Sequence, residues 1–262
     1  MRTFRPVVAI VACCLGLAAP RPAAAGTVVR LTVFDAYSMD VELYDEEAPV
    51  TVQNFLAYVN QHSYDSTFLH RSTTGNPANI QVLQGGGFTI TGNTIGLVTT
   101  GSAIPLEAGI SNTRGTIAMA RGNDPNSATS QWFFNVQNNP ALDPSTDPLN
   151  PRDGYAVFGR IINDVIPPVS NPDNLSGLAL LDALASVPAY DASQQLGAPF
   201  GELPLINPSL APGNLLTVTS VAVVPVPEPA ALVLACGGVA VAVVVAARRR
   251  RVAGTTPVSV VA

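Results

Sequence analysis

A closed β-barrel with helices at its ends is the fold this chain predicts, and three observations carry it. Short β-like runs recur through the middle of the sequence, separated by stretches rich in Gly, Asn, Pro and Asp. Many short strands with two helices in about 200 residues suggest one closed barrel. Helical spacing of apolar residues is confined to two segments, and residues 215–223 form a long terminal strand.

The elements follow in order. Residues 28–34 read as a strand, residues 39–44 alternate cleanly, and Asp35-Ala36-Tyr37-Ser38 between them make a hairpin. Asp45-Glu46-Glu47-Ala48-Pro49 then introduces Val52, Phe55, Leu56 and Val59 at helical spacing. Pro49 suits a first helical turn, and the three acids suit the positive end of the helix dipole. This helix has one apolar stripe and is expected to cap a sheet. Residues 64–68, 80–84, 115–120, 131–135 and 155–161 are each short and β-like. A second helix is predicted over 178–185, with Ser176 as N-cap and Val187-Pro188 as its stop. Residues 188–212 read as proline-punctuated loop.

The run Ser130-Gln131-Trp132-Phe133-Phe134-Asn135 carries the most information. Alone, it is a core strand. Alternation sets Gln131 and Phe133 on one face and Trp132 and Phe134 on the other. Gln84-Gly85-Gly86-Gly87-Phe88 and the arginine of Phe68-Leu69-His70-Arg71 add to it. Glutamines beside aromatics on strands, with one arginine nearby, suggest a groove for an extended peptide.

Charge excludes one class of partner. The chain has no lysine, and only six of its 13 arginines lie between Gly26 and Val224, against 17 of the 18 carboxylates. The central region is therefore net −11, a surface that repels nucleic acid. All three cysteines (Cys13, Cys14 and Cys236) lie outside it, which excludes a disulfide, a thiol nucleophile and a thiolate metal site there. His62 and His70, the only histidines, lack metal-ligand spacing and read as structural. No metal and no cofactor are expected.

Both ends read as addresses. Residues 1–25 have a basic start, an apolar run and Ala23-Ala24-Ala25, the pattern of a secretory signal peptide. At the other end Val226-Pro227-Glu228-Pro229 precedes the uncharged residues 230–247 and then Arg248 to Arg251. Eighteen apolar residues reach about 27 Å as a helix, near the ~30 Å hydrocarbon core. The arginines favour the cytoplasmic side, which puts the acidic region outside. Residues 225–251 resemble a PEP-CTERM sorting signal, in which an exosortase-type membrane protease is expected to cut near the Pro-Glu-Pro motif. A permanent single-span membrane anchor is the plainer alternative. The tail at 252–262 departs from such signals, which usually end soon after the arginines. The expected location is the cell envelope or beyond, with at least transient anchoring by the 230–247 helix.

Between these ends, residues 26–224 resemble the bacterial branch of the cyclophilin-type peptidyl-prolyl isomerases. Phe68-Leu69-His70-Arg71, Val82-Leu83-Gln84-Gly85-Gly86-Gly87-Phe88, Gly115-Thr116-Ile117-Ala118-Met119-Ala120-Arg121, residues 124–135 and Tyr155-Ala156-Val157-Phe158-Gly159-Arg160 come in that family's order and wording. The resemblance implies an eight-stranded antiparallel barrel closed by two helices, and rotation about X–Pro bonds of exported polypeptides as the activity. It implies Arg71 as the catalytic donor, whose plainer reading is a surface ion pair. It implies Gln84 and Gln131 as groups that bond substrate backbone or steady Arg71. Val82, Phe133 and Leu142 would line an apolar pocket with Tyr155, and Ala120 and Arg121 would form the edge that pairs with the peptide.

The chain departs from the family's pattern at three places: a longer loop at 72–80, Gln81 in place of a pocket phenylalanine, and Ala141 in place of a bulky aromatic. These predict a shallower, more polar pocket that loses about 1–3 kcal/mol of apolar contact per missing aromatic, for cyclosporin-like inhibitors as for peptides. They also motivate a rival reading, a non-catalytic peptide-binding surface or matrix protein.

Overall fold

The structure is a computed structural model, and it describes residues 26–74, 80–162 and 175–225. The expected leader at 1–25, the Pro-Glu-Pro motif, the 230–247 span and the 252–262 tail lie outside the described residues. No helix among the described residues is long and apolar enough to cross a membrane.

The described chain is mainly β. In order it forms β1 (Val28–Val33), β2 (Tyr37–Leu43), α1 (Pro49–Asn60), β3 (Thr67–Leu69), β4 (Arg71–Ser72), β5 (Val82–Gly85), β6 (Phe88–Thr91) and β7 (Thr94–Leu97). Then come β8 (Thr116–Met119), β9 (Trp132–Asn135), β10 (Val157–Ile162), α2 (Gly177–Ala185), β11 (Ala189–Tyr190), α3 (Ser193–Leu196), β12 (Leu203–Pro204) and β13 (Leu216–Val224). The main sheet runs β4-β5-β9-β8-β10-β2-β1-β13-β3-β6-β7, with every pair antiparallel. It curls strongly. Only His70 separates β3 from β4, although β4 lies at one end of the strand order and β3 near the other.

The expected β1–β2 hairpin is present, with a tighter turn than the spacing predicts. Phe34 and Asp35 both take φ of 56°, and Ala36 N–H donates to the Val33 carbonyl. This is the primed turn that suits the right-handed twist of paired strands. Within the hairpin Arg30 faces Asp40 directly and binds it through two bonds of 2.7 and 2.8 Å. The Asp40 side chain is fully buried, so this pair is what makes a carboxylate tolerable there.

Helix α1 starts with Pro49 as expected, but its N-terminus is satisfied from elsewhere. Asp45 accepts the Thr27 N–H, and no acid stands in the first turn. Glu107 instead takes the Val50 and Thr51 N–H groups at 3.2 and 2.7 Å, and the Thr51 hydroxyl at 2.7 Å. A loop residue more than 50 positions away thus caps the helix. Replacing Glu107 by Ala is expected to cost about 1 kcal/mol, read as a lower urea midpoint with unchanged slope.

Val52, Phe55 and Val59 of α1 bury against one face of the sheet together with Met39, Leu43, Trp132, Phe134 and Phe158. Helix α2 joins the same core through Leu180, Leu181 and Leu184. Its N-cap is Ser176, as the spacing predicts, yet the serine side chain makes no capping bond. A second apolar cluster joins Phe68 and Phe88 to Phe200, Leu203, Leu205 and Leu215. It fastens the segment between α2 and β13, which is more ordered than the loop its prolines predict. β11 pairs with β12, and Leu205 N–H donates to the Pro188 carbonyl.

Candidate active site

On the sheet, β4, β5, β9 and β8 lie side by side, and residues on one face of them line a groove of about 870 Å³. Arg71, Val82, Gln84, Ala120, Arg121, Phe133, Leu142 and Tyr155 line it. Eight of the nine residues singled out from the sequence are therefore on one surface. The ninth, Gln131, does not line the groove but accepts a 2.9 Å bond from the Gln84 amide.

Strand pairing explains this gathering. Arg71 is registered opposite Gln84, and Gln84 opposite Phe133, so one row crosses three strands from the guanidinium to the aromatic floor. Phe133 packs with Val82, Ala118, Leu142 and Val157, whereas its neighbours Trp132 and Phe134 point into the main core. Tyr155 stands edge-on to Phe133 with centroids 5.6 Å apart. The glycines of residues 85–87 let these parts approach. Gly86 has φ +76°, and a Cβ there would lie 2.7 Å from both the Ser130 carbonyl oxygen and Trp132 Nε1. No side chain fits.

The floor is held by a buried amide network that the sequence shows only as turn-forming residues. Asn135 Nδ2 donates to Thr116 Oγ1 and Asn112 Oδ1, and Asn139 Nδ2 donates to Asn135 Oδ1 and the Gln81 carbonyl. Asn112 in turn donates to Asp143 and to the Leu142 carbonyl. The turn carrying Ala141 and Leu142 is thereby fixed against β5. Gln81, expected to make the pocket polar, is not among the lining residues; Ile80 and Val82 on either side of it are. Its main chain is engaged by Asn139 and Val136. Ala141 does line the groove.

Two arginines and one carboxylate give the groove its charge. Arg121 is committed: it donates to the carbonyls of Gly154 and Gly122, and its guanidinium carbon lies 4.7 Å from the centre of the Tyr155 ring. Arg71 is half exposed, and its Nε donates to Glu202 at 2.8 Å. The surface ion pair weighed for Arg71 thus exists, inside the groove. Glu202 has no sequence signal, since it sits in the segment that reads as loop. His70, buried beside Arg71, has its pKa pushed down to about 4 by burial, with the Arg71 charge adding and hydrogen bonding to Gln131 opposing. Among the described residues no cluster of three His, Cys, Asp or Glu forms that would suit a metal.

A curled antiparallel β-sheet carrying a groove lined by Arg71, Arg121, Gln84 and an apolar floor defines a mainly-β class of protein with its candidate site on the sheet. The chain belongs to the cyclophilin-type peptidyl-prolyl cis-trans isomerase family, whose model (Cyclophilin type peptidyl-prolyl cis-trans isomerase/CLD) matches residues 28–192. It is 38% identical over 194 residues to a peptidyl-prolyl cis-trans isomerase of Acinetobacter baylyi, covering 73% of this chain and 89% of that protein. To peptidyl-prolyl cis-trans isomerase A of Dickeya dadantii it is 40% identical over 162 residues, covering 60% and 78%. A solved cyclophilin-type isomerase from Cryptosporidium parvum aligns at 19% identity and a TM-score of 0.49, over 77% of this chain and 99% of its own. At the other end the PEP-CTERM protein-sorting motif matches residues 225–251.

Proposed function

We propose that this chain is an exported prolyl isomerase that assists the folding of envelope or secreted polypeptides, with Arg71 as its catalytic donor. The observation that carries the reading is the row Arg71–Gln84–Phe133, which crosses three neighbouring strands from the rim of the groove to its floor. Rotation about an X–Pro bond faces a barrier of about 18–20 kcal/mol, set by amide resonance, and needs no covalent chemistry. A guanidinium N–H donated to the prolyl nitrogen favours a pyramidal nitrogen and weakens that resonance. Val82, Phe133, Leu142 and Tyr155 hold the ring while the preceding carbonyl swings. Gln84, held by Gln131, and the Ala120–Arg121 edge would bond the flanking peptide. The groove must favour the twisted amide over both planar states. No cofactor is required.

The curl closes as an eight-stranded barrel in which β3, His70 and β4 act as one strand. The support is that β3 pairs with β13, β4 pairs with β5, and the His70 N–H donates to the Gln84 carbonyl. The sorting motif and the apolar 230–247 run support export and at least transient membrane anchoring, followed by exosortase-type cleavage. The domain limits 26–224 and 225–251 follow from the same reading.

The rival, a peptide-binding surface protein without catalysis, is favoured by Ala141 in the groove wall and by the carboxylate on Arg71. Exchange NMR of a short Ala-Pro peptide with the purified chain separates the two. Accelerated cis–trans exchange at substoichiometric protein is expected; saturable binding with the uncatalysed rate would leave the rival standing.

A further inference from the structure

We infer that Glu202 is a positioning residue that sets the orientation of the Arg71 guanidinium, and that the β11–β12 segment is therefore part of the site. This rests on the reading of Arg71 as the catalytic donor. The family model ends at residue 192, and none of the motifs that carry the resemblance contains Glu202.

The segment is anchored against the same strand that carries Arg71. The Ser72 N–H donates to the Glu202 carbonyl at 2.8 Å. The next residue, Leu203, is fully buried with Phe200, Leu205, Phe68 and Phe88. Phe200 lies 4.6 Å from Phe88 and stacks on Phe68 at 6.2 Å between centroids. The backbone on either side of Glu202 is therefore held, and its carboxylate is presented to the groove, which Ala189, Gly201 and Glu202 wall on this side. From there it reaches Arg71 Nε at 2.8 Å.

An arginine on a groove wall has several rotatable bonds, and few of its rotamers place an N–H at a prolyl nitrogen. A carboxylate fixed on Nε removes one of the five donors and selects one plane for the rest. That converts a mobile cation into a placed one, which is where rate is gained in a reaction without bond making. The carboxylate also opposes the cation's pull on the nitrogen. Both side chains are nearly half exposed, so water and salt screen this opposing charge effect. Orientation does not depend on screening. It decides the sign: removing Glu202 slows the enzyme.

Five proteins test this in the full chain: wild type, Glu202→Ala, Glu202→Gln, Arg71→Ala and the Arg71→Ala/Glu202→Ala double variant, which closes the cycle. Glu202→Ala is expected to lower kcat about two- to fivefold with KM little changed and the thermal midpoint unmoved. Glu202→Gln keeps an acceptor for Nε–H and is expected to recover most of that loss. On the Arg71→Ala background the second substitution should change nothing further. Glu202→Ala at or above the wild-type rate, or Glu202→Gln as slow as Glu202→Ala, overturns the inference while Arg71 keeps its role. An Arg71→Ala rate equal to wild type overturns the catalytic reading itself.

Discussion

Between pH 6.5 and pH 4 the folded domain is expected to lose about 3 kcal/mol of stability through His70 alone. The imidazole is buried and held neutral, with its pKa lowered from 6.5 to about 4. In the unfolded chain it takes up a proton near 6.5, so between these values the unfolded state binds more protons and stability rises with pH. The contribution is intact above 6.5, falls as the solution is acidified, and levels off below about 4. The gap between the two pKa values, at about 1.4 kcal/mol per unit, gives the ~3 kcal/mol. The cause is local. His70 lies edge-on to Phe88 with centroids 4.8 Å apart, next to Arg71 and facing Gln131, so no carboxylate compensates its charge. Urea midpoints measured from pH 7.5 to 4.5 for wild type and His70→Phe check this. The substitution is expected to flatten the pH slope whatever its effect at neutral pH, and equal slopes would place the acid sensitivity elsewhere.

Much of this architecture is visible in local sequence, for reasons that differ from element to element. β1, β2 and β13 show because apolar residues alternate along each, although Ser38 and Asp40 of β2 are buried as well. Helix α1 shows because Pro49 marks its start and its apolar stripe is continuous. The groove residues come together because Gln84 and Phe133 occupy the same register on neighbouring strands, and alternation separates Phe133 from Trp132.

Other features depend on partners distant in sequence. Glu107 caps α1 from a loop, and nothing around it resembles a capping signal. The β6–β7 hairpin has a readable turn at Gly92-Asn93, but its strands are half exposed and lack a clean apolar face. β11 and β12 are two residues each, too short for any periodicity, and their prolines read as loop. Glu202 acquires its place through contacts with residues far away in sequence, the Ser72 N–H on its carbonyl and the Phe68–Phe88–Phe200 cluster around Leu203. The amide network of Asn112, Asn135 and Asn139 is ambiguous in the same way, because asparagine favours a turn whether or not it is buried.

Arg71→Ala tests the account most directly. The guanidinium is exposed on the groove wall, so its loss should leave the fold intact while removing the donor to the prolyl nitrogen. Removing a single placed donor from a site that acts by charge and orientation costs about 10²- to 10³-fold elsewhere in enzymology, and a loss of that order is expected in kcat/KM. Phe133 and its apolar neighbours would remain, so a proline peptide should still bind. The decisive measurement is therefore cis–trans exchange of the same Ala-Pro peptide by wild type and Arg71→Ala, with binding followed in parallel. Catalysis that collapses while binding persists is the predicted result; exchange at the wild-type rate in Arg71→Ala would contradict it.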